Sequence, residues 1–188
     1  MHRQPEPHGD DDWIIAHPSL RLRLRRWCSG DVAGLARAAN FPDIARWLRD
    51  RFPSPYSEDD ARCFLDSIVP ASAGALHAIE VDGEVAGGIG IEPGSDVYRI
   101  GGELGYWLTP ARWRQGVMRH VLADYVPRQA ARLQLRRVFA RVYAGNVASV
   151  RLLERSGFTC EGVQRSAVIK HGEVLDVSVH ARVFAHQD

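Results

Sequence analysis

The chain has 188 residues, of which 45% are hydrophobic and 25% are charged. This composition suits one globular domain with its own core and excludes disordered, collagen-like and disulfide-scaffold proteins. Lys plus Arg number 24 against 23 Asp plus Glu, and the net charge of +1 gives no general attraction to nucleic acid or to an anionic membrane. Lys170 is the only lysine, so nearly every cation is a guanidinium, the group that binds phosphate with a planar fork.

The pattern of cysteines, histidines and N-terminal residues limits the cellular compartment and the metal content that we expect. Three cysteines without a CxxC pair predict neither a disulfide framework nor a zinc ribbon, and the histidines lack metal-ligand spacing. Residues 1–12 are polar and acidic and are expected to form a flexible tail ahead of a single domain at residues 13–188. No apolar run is long enough for a signal peptide or a membrane span. We therefore expect a soluble, cytoplasmic protein without a metal.

The first half of the domain predicts a strand, two helices and a hairpin. Leu20 to Arg25 alternates apolar and charged residues, which indicates a strand with its arginines facing solvent. Ser29 is expected to cap a helix that reaches Ala39, and Ser57, followed by three acidic residues, to cap another. Two strands, at 76–81 and 85–91, flank a turn at Asp82-Gly83.

The second half predicts four more strands and two helices. An amphipathic helix starts near Val117, and Pro127 should kink or end it, because proline lacks an N–H and clashes with the preceding turn. A shorter helix at 147–155 is closed by Gly157. The remaining strands are expected at 98–108, 138–143, 158–163 and 174–184. This alternation favours one mixed-sheet α/β domain.

A basic turn between a strand and the Val117 helix is the first candidate for chemistry. It runs from Thr109 to Met118 and contains Arg112, Arg114 and a single glycine, Gly116. Backbone N–H groups at a helix start lack internal partners, and the helix dipole adds positive charge, so a phosphate can bind there. An ordinary strand-to-helix turn with solvated charges is an equal alternative on this segment alone.

The second candidate is the helix that follows thirty residues later. Asn146 is placed as its N-cap and Gly157 as its C-terminal stop, with Ser149 in the first turn at the electropositive end. Alone, this segment would be explained as a capped helix in which Ser149 only satisfies backbone groups.

Together, the two segments resemble the GNAT N-acetyltransferase superfamily. The order of a basic strand-turn-helix and then Asn146-x-x-Ser149-x-x-x-Leu153-Glu154-x-x-Gly157-Phe158 is most similar to the Rim-type ribosomal-protein alanine and serine N-acetyltransferases. The resemblance covers residues 18 to 184 and implies a single GNAT-type α/β (α+β) domain. Its expected core is a mixed, mostly antiparallel twisted sheet, splayed between the fourth and fifth strands, with helices on both faces.

The phosphate-binding turn departs from the family pattern at two positions. Arg114 stands where an optional glycine is usual, and Met118 stands where the family has a small residue. Gly116 keeps the position at which the backbone must approach phosphate most closely. We therefore expect acetyl-CoA to bind, with Met118 as a residue that can crowd the turn, and the sequence leaves open whether these departures lower the affinity.

The resemblance implies direct acetyl transfer from acetyl-CoA, a co-substrate, to an amine, in an acyltransferase that uses no metal. Glu103 is expected to act as general base through a water and Ser149 as general acid to the leaving thiolate, with Tyr143 as a spare donor. Trp107 and Leu108 would bind the pantetheine arm from an open strand edge. The other cofactor-binding positions implied are Arg114, Gln115, Gly116, Val117, Met118, Arg119, Asn146 and Ser149.

The acceptor and the assembly are left open by the sequence. The acceptor pocket is expected between the helices near 41–64 and the loop at 165–176, and the amine is either a protein N-terminus or a small molecule. Dimers are common among such relatives, so a homodimer is one of the assemblies left open, whereas direct nucleic-acid binding is not expected. Two alternatives remain: a non-catalytic acyl-CoA-binding or regulatory protein, and a ribosome- or RNA-associated module using the arginines at 21–26 and 132–137.

Overall fold

An eight-stranded sheet organises the computed structural model, which describes residues 12–72 and 75–185. The strand bounds are β1 Trp13–Ile15, β2 Leu22–Arg26, β3 Leu76–Val81, β4 Glu84–Pro93, β5 Gly101–Leu108, β6 Arg137–Tyr143, β7 Thr159–Lys170 and β8 Glu173–Val183. The strands follow the order β1-β2-β3-β4-β5-β6-β8-β7, and all neighbours are antiparallel except β5 and β6. The predicted tail lies outside the described residues, apart from Asp12, which pairs with Arg23.

The helices begin close to their predicted caps, with one exception. Ser57 caps its helix as expected, since its Oγ accepts from the Asp60 N–H at 3.2 Å. Ser29 is not a cap, because it opens a short 3₁₀ turn that leads into the first helix. The helices are α1 Val32–Ala39, α2 Pro42–Ala45, α3 Glu58–Cys63, α4 Val69–Ala71, α5 Val117–Arg132 and α6 Val147–Arg155.

Two hydrophobic layers cover the two faces of the sheet. On one face the buried side chains of α5 and α6, such as Leu122 and Leu153, pack on Ile79 and other strand residues. On the other face Leu35 of α1 and Ala61 of α3 belong to a separate buried cluster. Helices on both faces of a mixed, mostly antiparallel sheet confirm the predicted fold class.

Helix α5 continues five residues beyond Pro127, so the prediction that proline would end it is wrong. Proline removes one N–H from the helix ladder. However, Tyr125, Val126 and Ala130 on either side of it are buried, and the Tyr125 hydroxyl donates to the Ala75 carbonyl at 2.8 Å. Burial of this apolar stripe on both sides of the proline favours one continuous helix.

The arginines of β2 do not all face solvent as predicted. Arg25 is largely buried and forms a two-pronged ion pair with Asp31, both contacts measuring 2.8 Å. Its Nε also donates to Glu80 at 2.6 Å. Burial is the largest influence on Asp31 and opposes its ionisation, but the hydrogen bonds from Arg25 and from the Cys28 backbone outweigh it. The pKa of the Asp31 carboxyl therefore lies below its usual value.

Acid is expected to weaken the fold partly through Asp31. Because the native pKa is lower than the unfolded one, this group stabilises the fold above about pH 4 and loses that contribution as the pH falls further. Denaturant titrations should show a drop in unfolding free energy between pH 6 and pH 3 that is smaller in Asp31→Asn by about 1 kcal/mol. An unchanged pH slope in that variant would contradict this assignment.

Candidate active site

A wedge-shaped gap opens in the middle of the sheet. The parallel pairing of β5 with β6 consists of three positions, Gly101 with Arg137, Gly102 with Val138 and Glu103 with Phe139. Beyond Glu103, β5 continues to Leu108 and β6 continues to Tyr143, but no described residue pairs one with the other. The two strands therefore separate at the positions where the splay was predicted.

The alternation of strand hydrogen bonds decides which backbone groups of β5 face this gap. The Thr109 N–H donates to Ala86 on β4 at 2.7 Å, and a Cβ at Gly87 would collide with the Trp107 carbonyl. The backbone N–H and C=O groups of Trp107 therefore point to β4. Those of Tyr106 and Leu108, the residues on either side of it, point to the gap. The Leu108 carbonyl already accepts the Trp113 indole N–H at 2.7 Å.

The N-terminus of α5 follows at the open end of β5. The first ladder bond of the helix runs from His120 N–H to the Gly116 carbonyl at 3.2 Å. The amides of Val117, Met118 and Arg119 precede it and have no acceptor within the helix. The Met118 side chain is buried in the core, so it does not crowd the turn as expected.

The arginines of the turn differ in their contacts. Arg112 pairs with Asp82 at 3.1 Å. Arg114 and Arg119 are exposed and form no ion pair with a described residue, which leaves their guanidinium groups available to an anion. Gln115 is held by a 2.7 Å hydrogen bond from its side-chain amide to the Ala111 carbonyl.

Arg114 occupies a backbone conformation that favours glycine, with φ of +60°. Arg114→Gly should raise the unfolding free energy by up to about 1 kcal/mol, because the left-handed conformation is costly for a residue with a Cβ. The same change should weaken acetyl-CoA binding about three- to tenfold, because it removes a cation beside the turn.

Calorimetry and thermal unfolding can separate these two effects of Arg114→Gly. Arg23→Ala, which removes an arginine that is paired with Asp12 and Glu80, is the control and should leave affinity unchanged. Equal affinity in Arg114→Gly and the parent chain would contradict a role for this guanidinium.

Asn146 and Ser149 lie together at the start of α6, as predicted. The Asn146 Oδ1 accepts from the Ser149 N–H at 3.1 Å, which makes Asn146 the N-cap. The Ser149 hydroxyl is 2.6 Å from the Tyr106 hydroxyl of β5, and either oxygen can be the donor. Burial raises the pKa of Tyr106 to about 12. This neutral phenol beside Ser149 did not emerge from the sequence.

Two guanidinium groups contact the carboxylate of Glu103. Its Oε2 accepts from Arg141 of β6 at 2.6 Å and lies 2.7 Å from Arg49 Nη2. Both of these contacts are made to Oε2. The sequence reasoning missed both arginines, although Arg141 is visible as an outward position of β6, two residues from Phe139.

Glu103 and Ser149 lie on opposite faces of β5. Tyr106, which contacts Ser149, packs with the α5 and α6 core, whereas Trp107 packs with the α1 and α3 cluster. Strand alternation puts Glu103 on the Trp107 face. A ligand in the gap between β5 and β6 would therefore meet a carboxylate from one side and a hydroxyl pair from the other.

A cavity of about 420 Å³ lies on the Glu103 face. Its walls include residues from Leu48 to Phe64, which agrees with the predicted acceptor pocket, but none from the loop at 165–176. The predicted loop is instead the hairpin end of β7 and β8, with its turn at residues 171–172. Lys170 at the end of β7 contacts the helical side of the cavity, because its Nζ lies 2.7 Å from Asp50 Oδ1. The Lys170 ammonium, only 6% exposed, holds the pKa of Asp50 below its usual value.

No helix within the described ranges is long and apolar enough to cross a bilayer. Residues 12–72 and 75–185 also contain no cluster of three or more acidic, histidine or cysteine side chains suited to a metal ion.

Comparisons with known proteins agree with this architecture. A family profile described as an acetyltransferase (GNAT) domain matches residues 21–159. The chain is 35% identical over 100 residues to "Uncharacterized N-acetyltransferase YoaA" of Bacillus subtilis (strain 168), covering 53% of this chain and 56% of that protein. It is 29% identical over 85 residues to the ribosomal-protein-serine acetyltransferase of Escherichia coli (strain K12), covering 45% and 48%. The matches thus span about half the length of these curated relatives.

Solved structures extend the similarity over nearly the whole chain. A solved structure of RimL, described as a ribosomal L7/L12 alpha-N-protein acetyltransferase in complex with coenzyme A, superposes with a TM-score of 0.75 at 25% identity. The superposition covers 91% of this chain and 98% of RimL. The overall fold is therefore similar to that of a protein whose structure holds coenzyme A.

Proposed function

The chain belongs to the GNAT acetyltransferase family, and on that premise we propose that it transfers the acetyl group of acetyl-CoA directly to a primary amine in a ternary complex. The observation that carries the proposal is the end of β5–β6 pairing at Glu103. The gap that follows has the form of a missing strand, with free amides of α5 at its open end. An extended pantetheine arm ending in a pyrophosphate matches both parts.

The described residues fit acetyl-CoA well. Backbone groups of Tyr106 would bind the pantetheine arm as an added strand would. The amides that open α5, together with Arg114 and Arg119, would bind the pyrophosphate. The backbone of Trp107 is directed to β4 and would not bind the arm, whereas the side-chain amide of Asn146 would donate to it.

The chemistry requires two proton movements at a thioester, the activated acyl group that acetyl-CoA supplies. Glu103 would take a proton from the amine, through a water, at its carboxylate. On the other face, the Ser149 hydroxyl would donate to the leaving sulfur and regain a proton from Tyr106. The raised pKa of Tyr106 keeps its phenol neutral at physiological pH, so it can donate whenever the amine attacks.

Contacts of the arginines favour this proposal over an RNA-associated module. Arg23 and Arg25 of β2 are paired with acidic groups, and Arg137 of β6 pairs with Glu161. Guanidinium groups held by carboxylates offer little to a phosphate backbone. The buried position of Met118 likewise removes one reason for an acyl-CoA-binding protein without turnover.

The setting of the reaction is proposed from the relatives. The Escherichia coli relative is named for a ribosomal protein, which supports a cytoplasmic site of action and a protein N-terminus as one class of acceptor. Small amines are the other class, and a homodimer remains a prediction.

Acetyl-CoA binding and amine-dependent thiol release test the proposal. We expect saturable binding by calorimetry and release of coenzyme A that depends on both an added amine and the protein. Binding without release across a panel of peptides and small amines would contradict the proposed catalysis, and absence of binding would contradict the proposed site.

A further inference from the structure

Aromatic side chains line the cavity beside Glu103, although acetyl transfer itself requires no aromatic group. Phe52 stacks near Tyr56, with ring centres 4.9 Å apart, and lies 5.9 Å from Trp107. Trp27 and Phe64 meet edge to face at 5.4 Å. All five rings line the same 420 Å³ space, a volume suited to a small molecule. A flat apolar group on the acceptor would remove the most water here.

Gly105 keeps the passage from this cavity to Glu103 open. It lies between Glu103 and Trp107 on the same face of β5, and a Cβ atom there would meet nothing within 4 Å. By contrast, a Cβ at Gly88 on β4 would lie 2.7 Å from the Trp107 indole nitrogen. Gly88 therefore makes room for a side chain of the protein, whereas the space over Gly105 is left for a ligand.

One guanidinium near Glu103 favours an acceptor that carries an anionic group. Arg49 lies 2.7 Å from Glu103 and 3.9 Å from Glu92, and Arg51 lies 3.6 Å from Glu92. Asp60 also lines the cavity, but its carboxylate accepts hydrogen bonds from Ser57 at the start of α3. Arg51 has its carboxylate partner only at 3.6 Å, so a ligand carboxylate could approach it more closely than Glu92 does.

We propose that the acceptor is a free aromatic α-amino acid, an inference that rests on the proposed acetyl transfer. Its ring would lie in the aromatic cavity over Gly105, about 7 Å along the strand from Glu103. Its carboxylate would lie at Arg51 and its amine at Glu103. The amine nitrogen forms a bond to the acetyl carbon as the carbon–sulfur bond breaks. Glu103 takes one ammonium proton before attack and releases it to solvent, and it takes the second nitrogen proton as the amide forms. The thiolate gains a proton from Ser149, which regains one from solvent through Tyr106. The products are therefore the N-acetyl amino acid, coenzyme A and one released proton.

Four acceptors separate the elements of the proposal in a thiol-release assay with the full chain. Phenylalanine carries ring, amine and carboxylate, phenethylamine lacks the carboxylate, alanine lacks the ring, and a serine-initiated peptide represents a protein N-terminus. We expect kcat/KM for phenylalanine to exceed each of the others by about tenfold or more. A peptide used as well as phenylalanine would overturn the proposal.

Two variants test the named residues. Gly105→Val should lower kcat/KM for phenylalanine about 100-fold by filling the passage, with unchanged acetyl-CoA binding and thermal stability. Gly162→Val is its control, because Gly162 is a second strand glycine with nothing within 4 Å of a Cβ. Arg51→Gln should bring the phenylalanine-to-phenethylamine ratio close to one, whereas Arg46→Gln, an exposed arginine of the same loop, should not.

Different results would count against the aromatic acceptor alone and against acetyl transfer as a whole. Turnover of other amines, with phenylalanine no better and Gly105→Val without effect on it, would overturn the aromatic acceptor and leave acetyl transfer intact. If no amine releases coenzyme A, acetyl transfer itself fails, and the aromatic acceptor fails with it.

Discussion

Glu103→Gln is expected to lower kcat by about 100-fold or more, because proton removal by a positioned base contributes that much or more to a rate. The glutamine oxygen can still accept from Arg141 and Arg49, which contact Oε2 in the parent chain. The local arrangement should therefore survive, and acetyl-CoA affinity should stay within about twofold of the parent value. Steady-state kinetics and calorimetry on the same preparation give both quantities.

The control for Glu103→Gln is a glutamate outside the gap that also pairs with an arginine of β6. Glu161 of β7 pairs with Arg137, so Glu161→Gln removes a similar ion pair without touching the proposed base. It should leave kcat within about twofold. If Glu103→Gln retains more than half of the turnover, or if both variants lose it equally, Glu103 is not the base.

The second large effect is expected at the pair of hydroxyls on the other face of the gap. Tyr106→Phe and Ser149→Ala should each lower kcat about 10- to 100-fold, and the double variant should lose little more than the worse single one, because the groups act as a unit. Independent roles would instead make the losses multiply. Thermal unfolding should accompany the kinetics, since Tyr106 is also part of the core.

The pH dependence provides a further check on Tyr106. Burial raises its pKa to about 12, so the phenol keeps its proton through the neutral and moderately alkaline range. If kcat of the parent chain changes with pH at any value below about 11, ionisation of Tyr106 is not the cause. The same change should therefore be seen in Tyr106→Phe. Tyr143→Phe is the matched control, because burial also raises the pKa of Tyr143 although its hydroxyl is not bonded to Ser149. A loss in Tyr143→Phe as large as that in Tyr106→Phe would reassign the donor.

Local signals in the sequence predicted the framework of this site well. Asn146 and Ser57 cap helices because their short polar side chains return to nearby amides, and such contacts depend on residues three positions apart. The end of β5–β6 pairing was accessible only through the family resemblance. The alternation of apolar and polar residues along each strand does not indicate where two parallel strands separate.

Contacts between distant segments are what sequence reasoning could not supply. Arg49 reaches Glu103 across the fold, and Tyr106 reaches Ser149 from another element. Pro127 was misjudged for a related reason, since the apolar burial that keeps α5 continuous comes from strands far away in the chain. Tertiary packing overrides local preference in each of these cases.

The pairing of Lys170 with Asp50 makes amine chemistry on this protein unusually simple. The chain has one lysine, and its nitrogen is enclosed and bound to a carboxylate. A reactive ester used for labelling or for attachment to a surface would find no exposed lysine on the native molecule. The enclosed lysine would also be a poor competing acceptor for acetyl groups, which leaves the α-amine of the chain as the group to monitor beside an added amine.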